Sequence, residues 1–127
     1  MKRSSSFVLT CALAATLPVG LLPAAESSAS ASGCSSNVCI YINGSGTTVN
    51  YITSTVTPNG TITTSGAVGI ANSSGTILVD HGLGSHRLVS GHTYSYTWNK
   101  PNFSFKKGDI VCTLWPDIPG IPCETIG

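Results

Sequence analysis

From Val38 onward, apolar and small polar residues alternate along much of the chain, the two-residue period of strands that bury one face. Val38, Ile40 and Ile42 alternate with Cys39 and Tyr41, and Asn43-Gly44-Ser45-Gly46 predicts the turn that ends this strand. Thr47 to Val56 is rich in β-branched residues. Simple alternation puts Val49, Tyr51 and Thr53 on one face and Asn50, Ile52, Ser54 and Val56 near the other. Pro58-Asn59-Gly60 reads as a hairpin turn into Thr61 to Thr64. Ala67 to Ala71 is a weaker strand after Ser65-Gly66. Asn72-Ser73-Ser74-Gly75 leads into Thr76 to Asp80, with Ile77 and Val79 expected on one side. The clearest alternation is Thr93 to Asn99, where Tyr94, Tyr96 and Trp98 share one face and small polar residues the other. Phe103 and Phe105 lie between turns, Ile110 to Trp115 is a further strand, and Cys123 to Ile126 adds a short closing one.

Helix formers are scarce in this region, and about seven short strands at near-regular spacing predict an all-β fold. Two antiparallel sheets packed face to face, an immunoglobulin-like β-sandwich, is the expected architecture, with a small β-barrel as the alternative.

The first residues follow another pattern. Lys2 and Arg3 precede an apolar run from Phe7 to Leu22, and Ala29-Ser30-Ala31 offers the small-residue shape that a signal peptidase accepts. The run falls short of the roughly 20 apolar residues of a spanning helix and contains Pro18 and Gly20. Residues 1–31 therefore read as an export signal and residues 32–127 as a single secreted β-domain, free of the membrane once the signal is cleaved. The full chain has 6 Lys+Arg against 5 Asp+Glu. Loss of Lys2, Arg3 and Glu26 with the signal leaves four of each sign, and no basic cluster of the kind that nucleic acid requires.

Cys11 belongs to the signal, which leaves Cys34, Cys39, Cys112 and Cys123. In a small exported domain four cysteines predict two disulfides. A local scheme pairs Cys34 with Cys39 and Cys112 with Cys123; the polar turn formers in the first interval and the prolines and glycine in the second make these short loops easy to close. A nested scheme, Cys34 with Cys123 and Cys39 with Cys112, restricts the unfolded chain more strongly and stays open on entropy alone.

The run Gly33-Cys34-Ser35-Ser36-Asn37-Val38-Cys39-Ile40, together with Phe105, Gly108, Cys112, Trp115, Pro122 and Cys123, resembles small, uncharacterised secreted proteins of actinobacteria. The resemblance covers the two ends of the domain better than its middle. It implies a secreted, disulfide-stapled domain and brings no activity with it.

Catalytic patterns are thin. His81, His86 and His92, with Asp80 adjacent, are spaced poorly for a metal site and read as ordinary surface or loop histidines. Asp80-His81 and Ser85-His86 bring relay residue types together, but sequence neighbours on a strand point to opposite faces, and no G-x-S-x-G turn is present. Asp80, Asp109, Asp117 and Glu124 give few carboxylate pairs for sugar hydrolysis. Gly82-Leu83-Gly84 reads as a flexible turn, because Arg87 stands where a phosphate loop needs its third glycine. Asn43, Asn59, Asn72 and Asn102 each begin an N-x-Ser/Thr sequon.

Binding patterns are stronger. Exposed Tyr41, Tyr51, Trp98 or Trp115 would offer a flat apolar face with a polar tip to a sugar or a protein. The interval between Cys112 and Cys123, stiffened by Pro116, Pro119 and Pro122, would lose little entropy on binding. Within it Trp115, Pro116, Asp117 and Ile118 are the expected contact residues. The sequence thus points to a secreted, non-enzymatic β-sandwich, without cofactor or metal, that binds an extracellular protein or carbohydrate. The alternative is an inhibitor of an extracellular hydrolase acting through the Pro-rich loop.

Overall fold

The computed structural model describes residues 30–127, so all of the expected signal but its last two residues, and Cys11 with it, lies outside the described residues, while Ala31, placed at the end of that signal, is the first residue of a strand. Eight strands form: β1 (Ala31–Ser35), β2 (Val38–Ser45), β3 (Thr48–Val56), β4 (Ile62–Ala71), β5 (Ile77–Leu88), β6 (Tyr94–Asn99), β7 (Ile110–Leu114) and β8 (Cys123–Thr125). They make two antiparallel sheets, one ordered β1-β2-β3-β6 and the other β5-β4-β7-β8. The first is called sheet A below and the second sheet B. The result is the expected sandwich, and it is open rather than a closed barrel: β5 and β6 approach at one margin and β1 and β8 at the other, without pairing across either. Among the described residues no helix is long and apolar enough to cross a membrane.

The inward residues follow the alternation wherever a strand is regular. Val38, Ile40 and Ile42 of β2 and Ile52 and Val56 of β3 face Val68, Ile70, Leu88 and Val111 of sheet B, all fully buried. Two bulges change the expected faces. At Asn43/Gly44 the register shifts so that Asn43 pairs with Tyr51 and Gly44 with Val49. Asn50 is thereby the extra residue, and Val49 joins Ile52 in the core instead of sharing a face with Tyr51. Ile70 pairs with Val79 but Ala71 with Ile77, so Leu78 is extra. Val79 packs on the core while Ile77 is 67% exposed, on opposite sides of β5.

Three expected breaks are absent. Pro58-Asn59-Gly60 does not close a hairpin; it carries the chain from sheet A to sheet B, because the inward residues of β3 and β4 need each other's layer. Gly82-Leu83-Gly84 lies inside the 12-residue β5, with Leu83 as a bulged residue and Gly84 at a φ of +89°, a conformation suited to glycine. Ser65-Gly66, likewise, sits within a continuous β4.

The cysteines pair locally, Cys34 with Cys39 and Cys112 with Cys123, each across directly opposed strand positions. Cys39 alternates with buried Val38 and Ile40, and Cys112 with buried Val111 and Thr113, so the two bridges lie on the outer faces of different sheets. A nested pairing would have to span the core, which is why geometry prevails over chain entropy. Each short loop still restricts the unfolded chain by about 2 to 3 kcal/mol.

Candidate functional site

Trp115 is 1% exposed and Ile118 is 7% exposed, so the two large apolar groups of the Pro-rich loop are built into the core with Val38, Val56 and Leu88. Trp115 opposes Ile118 in a lone bridge, the Ile118 N–H donating to the Trp115 carbonyl at 3.0 Å. Pro116 and Asp117 form the tip, and the Asp117 φ of +69° after proline matches a type II turn. Of the four contact residues expected here, only these two are exposed. The loop is also pinned from below: the Asn37 N–H donates to the Pro119 carbonyl at 3.2 Å, and Gly120 lies directly on the Ser35 carbonyl.

Inside, Trp115 ends a polar chain that joins the sheets. Trp115 Nε1 lies 2.9 Å from Ser54 Oγ, Ser54 Oγ 2.7 Å from Thr113 Oγ1, and Thr113 Oγ1 2.8 Å from the Ala67 carbonyl. The proton count closes when the indole donates to Ser54, Ser54 to Thr113, and Thr113 to the carbonyl. Ser54 sits between Ile52 and Val56 on β3, and Thr113 between Val111 and Trp115. This bonded layer therefore separates the two apolar clusters of the core.

Two of the three histidines, His81 and His86, are not where an ordinary surface reading places them. His81 stacks on Trp98 with ring centroids 4.0 Å apart and planes within 4°, and His86 stacks on Tyr96 at 4.1 Å. These stacks join β5 to β6 at the margin of the sandwich. His86 Nε2 donates to the Leu83 carbonyl at 2.8 Å, which satisfies the bulge. Burial, with Tyr94 beside it, holds the Tyr96 phenol above its usual value of 10. His92 is exposed on the β5–β6 connection. Asp80 and Ser85 are exposed while His81 and His86 turn inward, so neither neighbouring pair meets as a relay. Asp109 accepts the Lys106 N–H at 2.8 Å as a turn residue. Among the described residues no group of three or more His, Cys, Asp and Glu could hold a metal ion.

What remains is the outer face of sheet A. Tyr41 is 42% exposed and its ring lies 6.1 Å from that of half-buried Tyr51, tilted 42°. Beside the pair runs a ladder of hydroxyl contacts: Thr53 with Thr97 at 2.9 Å, Thr55 with Ser95 at 3.0 Å, and, just past both strands, Thr57 with Thr93 at 2.8 Å. Register aligns Ser32, Tyr41, Thr53 and Thr97 in one row and Cys34, Cys39, Thr55 and Ser95 in the next. At the Tyr51 end, Asn50 Nδ2 donates to Asn43 Oδ1 at 2.9 Å, and Asn99 lies opposite Tyr51. No Asp, Glu, Lys or Arg occurs in β1, β2, β3 or β6; Lys100 follows one residue past β6. Two tyrosines in this set were legible in the sequence as candidate platforms. The ladder was signalled only by matching alternations at Thr53-Ser54-Thr55-Val56-Thr57 and Thr93-Tyr94-Ser95-Tyr96-Thr97, 40 residues apart.

No protein-family model, no curated protein and no solved structure matches the chain.

Proposed function

We propose that the protein is a secreted, non-enzymatic binding module that presents the outer face of sheet A to an uncharged extracellular partner. The observation that carries this reading is the coincidence of a tyrosine pair, Tyr41 exposed and Tyr51 half-buried, with three preformed hydroxyl rungs on a sheet whose strands contain no charged residue. Paired hydroxyls on regular strands are already ordered, so little rotamer freedom is lost when a partner lies on them. A face without charges attracts neither phosphate nor anionic lipid. The basic-then-apolar N-terminal stretch and the two disulfides support export.

The runner-up, an inhibitor of an extracellular hydrolase, draws on the disulfide-closed and pinned tip at Pro116-Asp117. Its reach is limited because Trp115 and Ile118 are spent in the core. Adsorption to intact cells and isolated wall material separates the two. Ser95→Lys/Thr97→Lys is expected to abolish adsorption while Pro116→Ala/Asp117→Ala retains it. The reverse pattern, or slowed secreted proteases or amylases relieved by the tip substitutions, would move the function to the loop.

A further inference from the structure

We infer that the partner is a neutral polysaccharide chain lying along β3 and β6, with one sugar ring on the Tyr41–Tyr51 pair and the following rings over the hydroxyl rungs. This rests on the binding reading of sheet A and narrows it to a chemical class. The tyrosine rings are 6.1 Å apart and tilted by 42°, too close and too inclined for two separate stacking subsites. Together they make one platform for the apolar face of one sugar. From there the rungs at Thr53–Thr97, Thr55–Ser95 and Thr57–Thr93 follow at two-residue steps of roughly 6.6 to 6.8 Å. The strip is linear and several sugar units long, a shape that suits an extended chain better than a monosaccharide.

Proton bookkeeping points the same way. Each rung holds two hydroxyl protons and uses one of them within the pair, so one donor and spare lone pairs remain per rung. Sugar hydroxyls are themselves donors and acceptors and can satisfy both. The Asn43–Asn50 pair adds amide groups at the tyrosine end. A protein partner would want a desolvated aromatic or Arg anchor at the centre of the patch. Here the rows beyond Tyr41 are threonine and serine, with Tyr41 flanking the first rung from β2 and Tyr51 one step before it. An anionic polymer would find no cation among the strands. The Cys34–Cys39 bridge lies in the row of Thr55 and Ser95 and stiffens the β1–β2 flank of the same face.

The test is depletion of the secreted protein from solution by cellulose, chitin, insoluble β-1,3-glucan and starch granules, with polygalacturonate and heparin beads as charged counterparts. At least one neutral polymer is expected to deplete it, with little loss when salt is raised, and neither charged support is. Tyr41→Ala should weaken binding about tenfold while leaving the melting temperature close to the parent. Thr97→Lys should abolish it. Retention by heparin or polygalacturonate alone would overturn the inference. If no neutral polymer binds but intact cells still retain the protein in a manner lost in Thr97→Lys, the inference falls and the binding face stands. If no support shows dependence on Tyr41 or Thr97, both fall.

Discussion

Trp115→Ala is expected to remove about 3 to 5 kcal/mol of stability, a large fraction of the roughly 5 to 15 kcal/mol that holds a domain of this size. The indole is 1% exposed, packs between Val38, Val56, Leu88 and Ile118, and touches Tyr96 with centroids 5.2 Å apart. Its ring also lies on the bare backbone of Gly66, where any side chain would overlap it. Truncation leaves a cavity that these neighbours cannot fill without moving β4. It also removes the donor to Ser54 and opens the polar layer between the two clusters. For a domain near 100 residues the melting temperature should fall on the order of 20 °C. Trp115→Phe keeps most of the volume and loses the Nε1–H, so its cost should be nearer the donor alone, about 1 to 3 kcal/mol. Differential scanning calorimetry of the two variants checks both numbers. Equal small losses would mean that Trp115 is not the core anchor described here.

Gly120→Ala is the second large effect. The φ of +115° belongs to a region open essentially to glycine, and a Cβ there would run into the Ser35 carbonyl, which is backbone and cannot swing aside. Strain and overlap together should cost about 2 to 4 kcal/mol. The damage should be local in character: the loop lifts from the β1–β2 turn, and the Asn37 amide, bonded to the Pro119 carbonyl at 3.2 Å, exchanges faster. Gly60→Ala is the contrast, since nothing lies within 4 Å of its Cβ position. That substitution should be neutral or gain up to about 1 kcal/mol. Hydrogen exchange at Asn37 in the two variants distinguishes the pinned loop from a loose one.

The parts of the fold legible in the sequence were those set by local alternation. Val38-Ile40-Ile42 and Tyr94-Tyr96-Trp98 have unbroken two-residue periods, and both sets point inward. A single bulge defeats that logic, because one extra residue exchanges the faces of everything beyond it. Asn50 and Leu78 do so for Val49 and Ile77, and neither carries a mark that a strand reading could use. β1 was illegible for another reason: Ala-Ser-Gly-Cys-Ser has no β-branched residue, and pairing with β2 together with the disulfide defines it. The candidate site divides the same way. Tyr41 and Tyr51 were visible as residue types. Trp115 was ambiguous, because its burial depends on Ser54 and Gly66, each about 50 to 60 residues away in sequence. The hydroxyl ladder needed the knowledge that β3 pairs with β6 after two strands have been laid in the other sheet.

Two-dimensional NMR of the protein, titrated with soluble oligomers of whichever neutral polysaccharide retains it, tests the central claim most directly. Shift changes are expected at Tyr41, Tyr51, Thr53, Thr55, Ser95 and Thr97, with the tip at Pro116-Asp117 and the outer face of sheet B, around Ala67, Gly69 and Leu114, unchanged. Changes centred on the tip or on sheet B, with the tyrosine pair and the ladder silent, would contradict the account.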